Sequence, residues 1–134
     1  MQIDGACHCG QVTFQAEIDP ATVSLCNCTD CQTFAGAPFR WTVLTHAGTF
    51  RLRSGTVKGY VKLAESGKPR EQGFCPNCGN ALWGTALGAD PNKIYSLRVG
   101  AITQRDQLTP RSQKWMRSAQ PWTGNLGALP ATEK

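Results

Sequence analysis

Seven cysteines stand in three tight groups along this chain: Cys7 and Cys9 in "CHCG", Cys26, Cys28 and Cys31 in "CNCTDC", and Cys75 and Cys78 in "CPNCG". Such spacing suits metal ligation or thiol chemistry, and both need the thiolate form. An odd count cannot pair completely into disulfides within one chain, so a disulfide framework accounts poorly for the grouping. A closed zinc site takes four ligands, commonly delivered as two short pairs from distant parts of a sequence. "CPNCG" has the two-residue spacing that turns both sulfurs toward one ion, and Gly79 is free to take the positive φ that such a knuckle needs. "CHCG" offers a second pair, again followed by a glycine, Gly10. If these two pairs share an ion, three thiols remain. Three protein ligands with an exchangeable fourth position are the pattern of a catalytic zinc. Another partition joins Cys26 and Cys31 to Cys75 and Cys78 and leaves Cys7 and Cys9 redox-active; spacing alone leaves both open. An iron–sulfur cluster on "CNCTDC" is a further reading, which a colourless protein would exclude.

The rest of the chain sets the context for these thiols. At 134 residues it is expected to form one zinc-binding β domain, 1–134, with residues 131–134 frayed. Apolar residues make up 40% and charged residues 17%, without repeats or low-complexity tracts, which predicts a globular chain. "MQIDGACHCG" has neither the basic nor the apolar region of a leader, and no run of about 18 apolar residues occurs. A cytoplasmic protein with no membrane partner is therefore expected, in a compartment that keeps thiols reduced. The formal charge is +5, but the first 39 residues hold four acids and no Lys or Arg, so the remainder carries +9. Seven thiolates on two divalent ions would contribute about −3 and leave the loaded protein near about +2. The basic surplus then balances anionic metal centres, and nucleic acid is not the expected partner.

The elements that must position the thiols read as strands. Residues 11–17, 39–44, 49–54, 57–63, 80–85 and 94–100 are rich in Val, Thr, Phe, Tyr and Trp, and Gly or Pro separates them. This predicts a mostly β, antiparallel fold with few short helical turns. One such turn is expected at "TDCQTFAG", with Thr29 as N-cap and Gly36 as stop. The chain from Pro110 onward is expected to wrap over the sheet in extended form, anchored by Trp115 and Trp122. Exposed strand edges allow a homodimer.

In order along the chain, "GACHCGQVTF", "CNCTDCQTFAGAPF", "FCPNCGNALW", "IYSLRVGAI" and "QPW" resemble the glutathione-dependent formaldehyde-activating enzyme family, which includes centromere protein V. The resemblance spans nearly the whole chain. It implies a β-tent fold with two zinc ions, one structural on Cys7, Cys9, Cys75 and Cys78, the other in the active site on Cys26, Cys28 and Cys31. It also implies a carbon–sulfur lyase or synthase joining glutathione, or a related small thiol, to formaldehyde as S-(hydroxymethyl)glutathione. A thiol carrying two carboxylates calls for cations near the site, and Arg40, Arg70, Lys114 and Arg117 are the candidates. The chain departs from the family pattern at Asn27, where many members have His, and by the lack of His in "TPRSQKWM". The competing reading is a non-catalytic binding module with both zinc sites structural, the second completed by water, Asp30, His8 or His46.

Overall fold

The computed structural model describes residues 1–134. Ten strands form: β1 (Gln2–Ala6), β2 (Thr13–Glu17), β3 (Ser24–Cys26), β4 (Arg40–Leu44), β5 (Arg51–Ser54), β6 (Lys58–Leu63), β7 (Pro69–Phe74), β8 (Ala81–Ala86), β9 (Tyr95–Arg98) and β10 (Ser112–Lys114). They build a three-stranded sheet, ordered β1-β2-β5, and a seven-stranded sheet, ordered β10-β3-β4-β9-β8-β7-β6. The α-helix α1 (Thr29–Ala35) and several 3-10 turns complete the chain. The expected mostly β architecture is what the chain adopts.

Two expectations need correction. The sheets are antiparallel except at one edge, where β10 runs parallel to β3. The chain after Pro110 supplies that edge strand and then coils into 3-10 turns, while Trp115 and Trp122 stay 41% and 51% exposed rather than anchored in the core. Strands β1, β3, β7 and β10 lie outside the expected strand segments, and β7, "PREQGF", is dominated by Pro, Gly and charged residues of low strand propensity. It is held by pairing on both sides, with β6 and with β8, and its proline occupies the first position, where a missing N–H does least harm.

The core lies between the two sheets. Ile3, Phe14 and Ala16 point inward from the small sheet, and Val43, Trp83 and Leu97 from the large one, all buried. Phe50 meets Trp83 edge-on at 4.8 Å between ring centroids and stacks on Tyr95 at 4.2 Å. Because strand side chains alternate, the outer face of the large sheet is set at the same time. Registers Cys26↔Arg40, Thr42↔Arg98, Gly84↔Ser96 and Gln72↔Gly84 put a polar, cationic row on that face. No helix is long and apolar enough to cross a membrane.

Gly5 faces Phe14 across the β1–β2 ladder, and the ring lies where a Cβ on residue 5 would stand. Gly5→Ala is expected to destabilise the fold by about 1–3 kcal/mol, the usual cost of overpacking a filled core. Denaturant unfolding of the metal-loaded protein checks it; an unchanged midpoint would show that the ring can move aside.

Candidate metal centres and the cleft between them

The first cysteine group is assembled by two matching turns. After β1 the chain reverses through Cys7–Gly10, with Gly10 N–H donating to the Cys7 carbonyl at 3.0 Å and Gly10 at φ +78°. Before β8 it reverses through Cys75–Gly79, with Gly79 N–H donating to the Cys75 carbonyl at 2.9 Å and Gly79 at φ +71°. A side chain would be strained at either glycine. The His8 N–H donates to Asn80 Oδ1 at 3.0 Å and ties one turn to the other. The Sγ atoms of Cys7, Cys9, Cys75 and Cys78 consequently all lie within 4.8 Å of one another. Cys7 to Cys9 is 3.5 Å and Cys9 to Cys75 is 3.8 Å. Four sulfurs at about 2.3 Å from a tetrahedral zinc stand roughly 3.8 Å apart, so the donor set and its spacing fit such an ion.

Protons are divided unevenly in this group. Hydrogen bonds from the Asn77 side chain and the Gln11 backbone pull Cys9 down to about 6. Backbone hydrogen bonds from Asn80 and Cys9 also hold Cys78 below the ordinary thiol value. Backbone bonds from Cys78 favour the Cys75 thiolate too, but burial and the neighbouring thiols outweigh them and push it up to about 11. Sulfurs packed this tightly suppress one another's ionisation unless they share a cation.

The second group comes from one local segment. Cys26 ends β3, Cys28 caps α1, and Cys31 lies buried in the first helical turn. The N-cap is Cys28 rather than the expected Thr29: its Sγ accepts the Cys31 N–H at 3.3 Å. Gly36 stops the helix as expected, at φ +58°. These three sulfurs also lie within 4.8 Å of one another, and no fourth Cys, His or carboxylate joins them. Asp30 is instead ion-paired with Lys62, and His8 and His46 belong to neither group. Burial pushes Cys28 up, yet hydrogen bonds from the Cys31 thiol and N–H, with help from Cys26 and the Arg40 charge, leave it below the usual thiol range. Cys31 is raised far above that range, by burial first and by the Cys28 thiol next.

Asn27, between two of these cysteines, turns away from them. It is buried, and its Nδ2 donates to the Lys114 carbonyl at 3.0 Å and approaches Met116 Sδ at 3.4 Å. The residue at this position therefore fastens the C-terminal segment.

The three sulfurs open onto a cleft of about 550 Å³ over the outer face of the large sheet. Arg40, Arg70 and Arg117 line it; Lys114 does not, and contributes its backbone carbonyl to Asn27 instead. Arg117 is partly spent, pairing with Glu65 at 3.2 Å and lying over the Trp115 ring at 4.6 Å. Lys62, also in the lining, pairs with Asp30. Arg40 and Arg70 make no ion pair with the rest of the chain.

Two further residues carry the floor. Gln72 Oε1 accepts from Arg98 Nη2 at 2.7 Å and from Arg40 Nη1 at 3.2 Å, so one amide oxygen separates two guanidinium groups. Arg98 is only 8% exposed; burial and the nearby Arg40 charge push it down to about 9, against the opposing influence of Cys31 and Cys26. Negative charge at the cysteine group beside it favours the charged form of Arg98, which burial opposes. The sequence held a signal for Arg98, a charge on the polar side of the otherwise apolar strand "IYSLRVG". Such a face normally meets water, whereas here the charge is buried and held by Gln72.

A two-sheet β protein with two cysteine centres, one four-sulfur and closed, one three-sulfur and open to a cationic cleft, is the class that fold and site define. The chain belongs to the glutathione-dependent formaldehyde-activating enzyme family, whose pattern matches residues 2–118. Among solved structures, a crystal structure of a Rhodobacter sphaeroides protein aligns with a TM-score of 0.61 at 19% identity, covering 83% of this chain and 99% of that one. That likeness speaks to the fold alone. No curated protein matches the chain.

Proposed function

We propose that this protein is a zinc-dependent carbon–sulfur lyase or synthase that joins a small thiol, glutathione in the first instance, to formaldehyde, and catalyses the reverse. In this reading Cys7, Cys9, Cys75 and Cys78 hold a structural zinc, and Cys26, Cys28 and Cys31 hold the active-site zinc. The carrying observation is the asymmetry between the two centres: four sulfurs close on themselves in one, and three sulfurs without a fourth protein ligand open onto a cleft in the other. Membership of a family described as glutathione-dependent and formaldehyde-activating supports the substrates.

When bound at the three-cysteine centre, zinc supplies a lowered pKa to a thiol that joins it, so that the thiol is available as thiolate at neutral pH. The chain's own residues do the rest. Arg70, with no ion pair of its own, receives a carboxylate of the thiol substrate, and Arg117 at the rim is a second point of attachment. Arg40 and Arg98 set a positive potential beneath the sulfurs, and Gln72 fixes their separation. In the forward direction a sulfur–carbon bond forms, the carbonyl π bond opens, and the thiol proton ends on the former carbonyl oxygen; no electron is gained or lost. Seven free thiols suit a reducing compartment, and the reading takes the enzyme as cytoplasmic.

The test is elemental analysis of protein purified without chelator, followed by X-ray absorption with and without glutathione. Two zinc ions per chain are expected, with the average sulfur coordination rising when glutathione is added, and with faster formation of the formaldehyde adduct. One ion, or two that ignore glutathione, would move the protein to a structural module.

A further inference from the structure

Beside the cleft lies a second hollow, of about 320 Å³, which the proposed formaldehyde reaction leaves without a role. Phe34, Tyr60, Phe74 and Ala81 give it apolar walls, and Gln72 and Arg98 lie at its polar end. Phe34 of α1 and Tyr60 of β6 face each other at 6.0 Å between ring centroids and span the gap between helix and hairpin. Gln72 lines both hollows, and its Oε1 joins Arg98, in the lining of the apolar hollow, to Arg40, in the lining of the cleft. Phe34 is three residues along the same helix from Cys31. The two spaces are therefore neighbours at the reacting end of the site.

Their chemistry is complementary. The cleft is cationic and fits an anionic thiol, whereas the side pocket is apolar apart from its junction. Formaldehyde carries only hydrogens on its carbon and has nothing to place there. An aldehyde R–CHO carries one substituent, and when its carbon is at the sulfur and its oxygen near the arginine-lined junction, that substituent extends toward Phe34 and Tyr60.

We infer that the pocket walled by Phe34, Tyr60, Phe74 and Ala81 is a subsite for the apolar substituent of an aldehyde, and that the substrates include thiol adducts of alkyl or aryl aldehydes. This rests on the proposed reading of the three-cysteine cleft as the thiol site. The reaction has the same balance as before: the thiol sulfur bonds to the aldehyde carbon, the thiol proton ends on the aldehyde oxygen, and the product is a thiohemiacetal without redox change.

S-alkylglutathiones test it, because their alkyl groups stand in for the aldehyde's carbon chain and do not react. Calorimetric titration of the zinc-loaded protein should give S-hexylglutathione at least about tenfold tighter binding than S-methylglutathione, the expected effect of burying several methylenes in a half-open pocket. The ratio of the two affinities should fall toward one in Tyr60→Asp, which places a charge on a wall residue that is 56% exposed and so leaves the core unaltered. A wild-type ratio near one would overturn the subsite while leaving the thiol reading in place. A large ratio that survives Tyr60→Asp would show the chain binding elsewhere and would also overturn it. Glutathione itself, titrated alongside, separates the two readings: if it binds and neither S-alkyl ligand does, the subsite alone is overturned, and if none of the three binds, the cleft reading falls with it.

Discussion

Cys78→Ser is expected to yield a chain that does not fold, with loss of near-ultraviolet ellipticity and of the cooperative melting transition. Cys78 belongs to the group that brings residue 7 to residue 78, so the proposed structural ion would close a loop of 71 residues. Apparent binding energies of structural zinc sites are about 10–16 kcal/mol, as large as the whole stability of about 5–15 kcal/mol of a typical domain. Apart from the core, the two turns meet through few polar contacts, chiefly His8 N–H to Asn80 Oδ1 and the Cys9 backbone to the Cys78 thiol. Prolonged exposure to a strong chelator should give the same unfolded spectrum, reversible on adding zinc. A cooperative melt within a few degrees of wild type would mean that the sheet interface alone carries the fold and that the ion is dispensable.

Cys31→Ser is expected to abolish turnover, by more than about 100-fold, while the fold survives. On the proposed reading Cys31 is a direct ligand, and its loss should exceed the 10- to 100-fold usually lost when only a supporting residue of a metal site is altered. The fold survives because this centre draws its sulfurs from residues 26 to 31, a span that α1 and its caps already organise. An ion there closes almost no loop and so contributes little to folding. Serine also nearly matches cysteine in volume, so the buried position stays filled. The checks are the rate of adduct formation, metal content falling from two ions to one, and an unchanged circular dichroism spectrum. Full activity with one ion per chain would remove the second centre from the chemistry.

The contrast between these variants follows features that differ in how far they could be read from residues alone. Both thiol groupings, the Gly10 and Gly79 turns and the helix stop at Gly36 were legible, because each depends on a few neighbouring residues and on φ angles that only glycine takes easily. The strands with β-branched and aromatic content were legible for the same local reason. Strand β7 was not, since its pairing on both edges overrides poor intrinsic propensity, and neither was the parallel β10, whose partner lies almost ninety residues away. Among the cations, Arg40, Arg70 and Arg117 were chosen by charge and reach the cleft, whereas Lys114, chosen on the same ground, does not. Charge and sequence proximity say nothing about which side of a twisted sheet a residue finally occupies.

What the sequence by itself determined is the set of sulfurs: seven, grouped two, three and two, with a glycine after each pair that lets the chain reverse there. What only the tertiary structure decided is the environment of those sulfurs. Gln72 and Arg98 come from separate strands, β7 and β9, and look like an ordinary polar sheet face until their side chains meet at 2.7 Å beside the hollow that Phe34 and Tyr60 wall. Ligand spacing is written locally, within a few bonds of backbone geometry. Potential, burial and pocket shape are sums over residues that meet only when the sheet has closed.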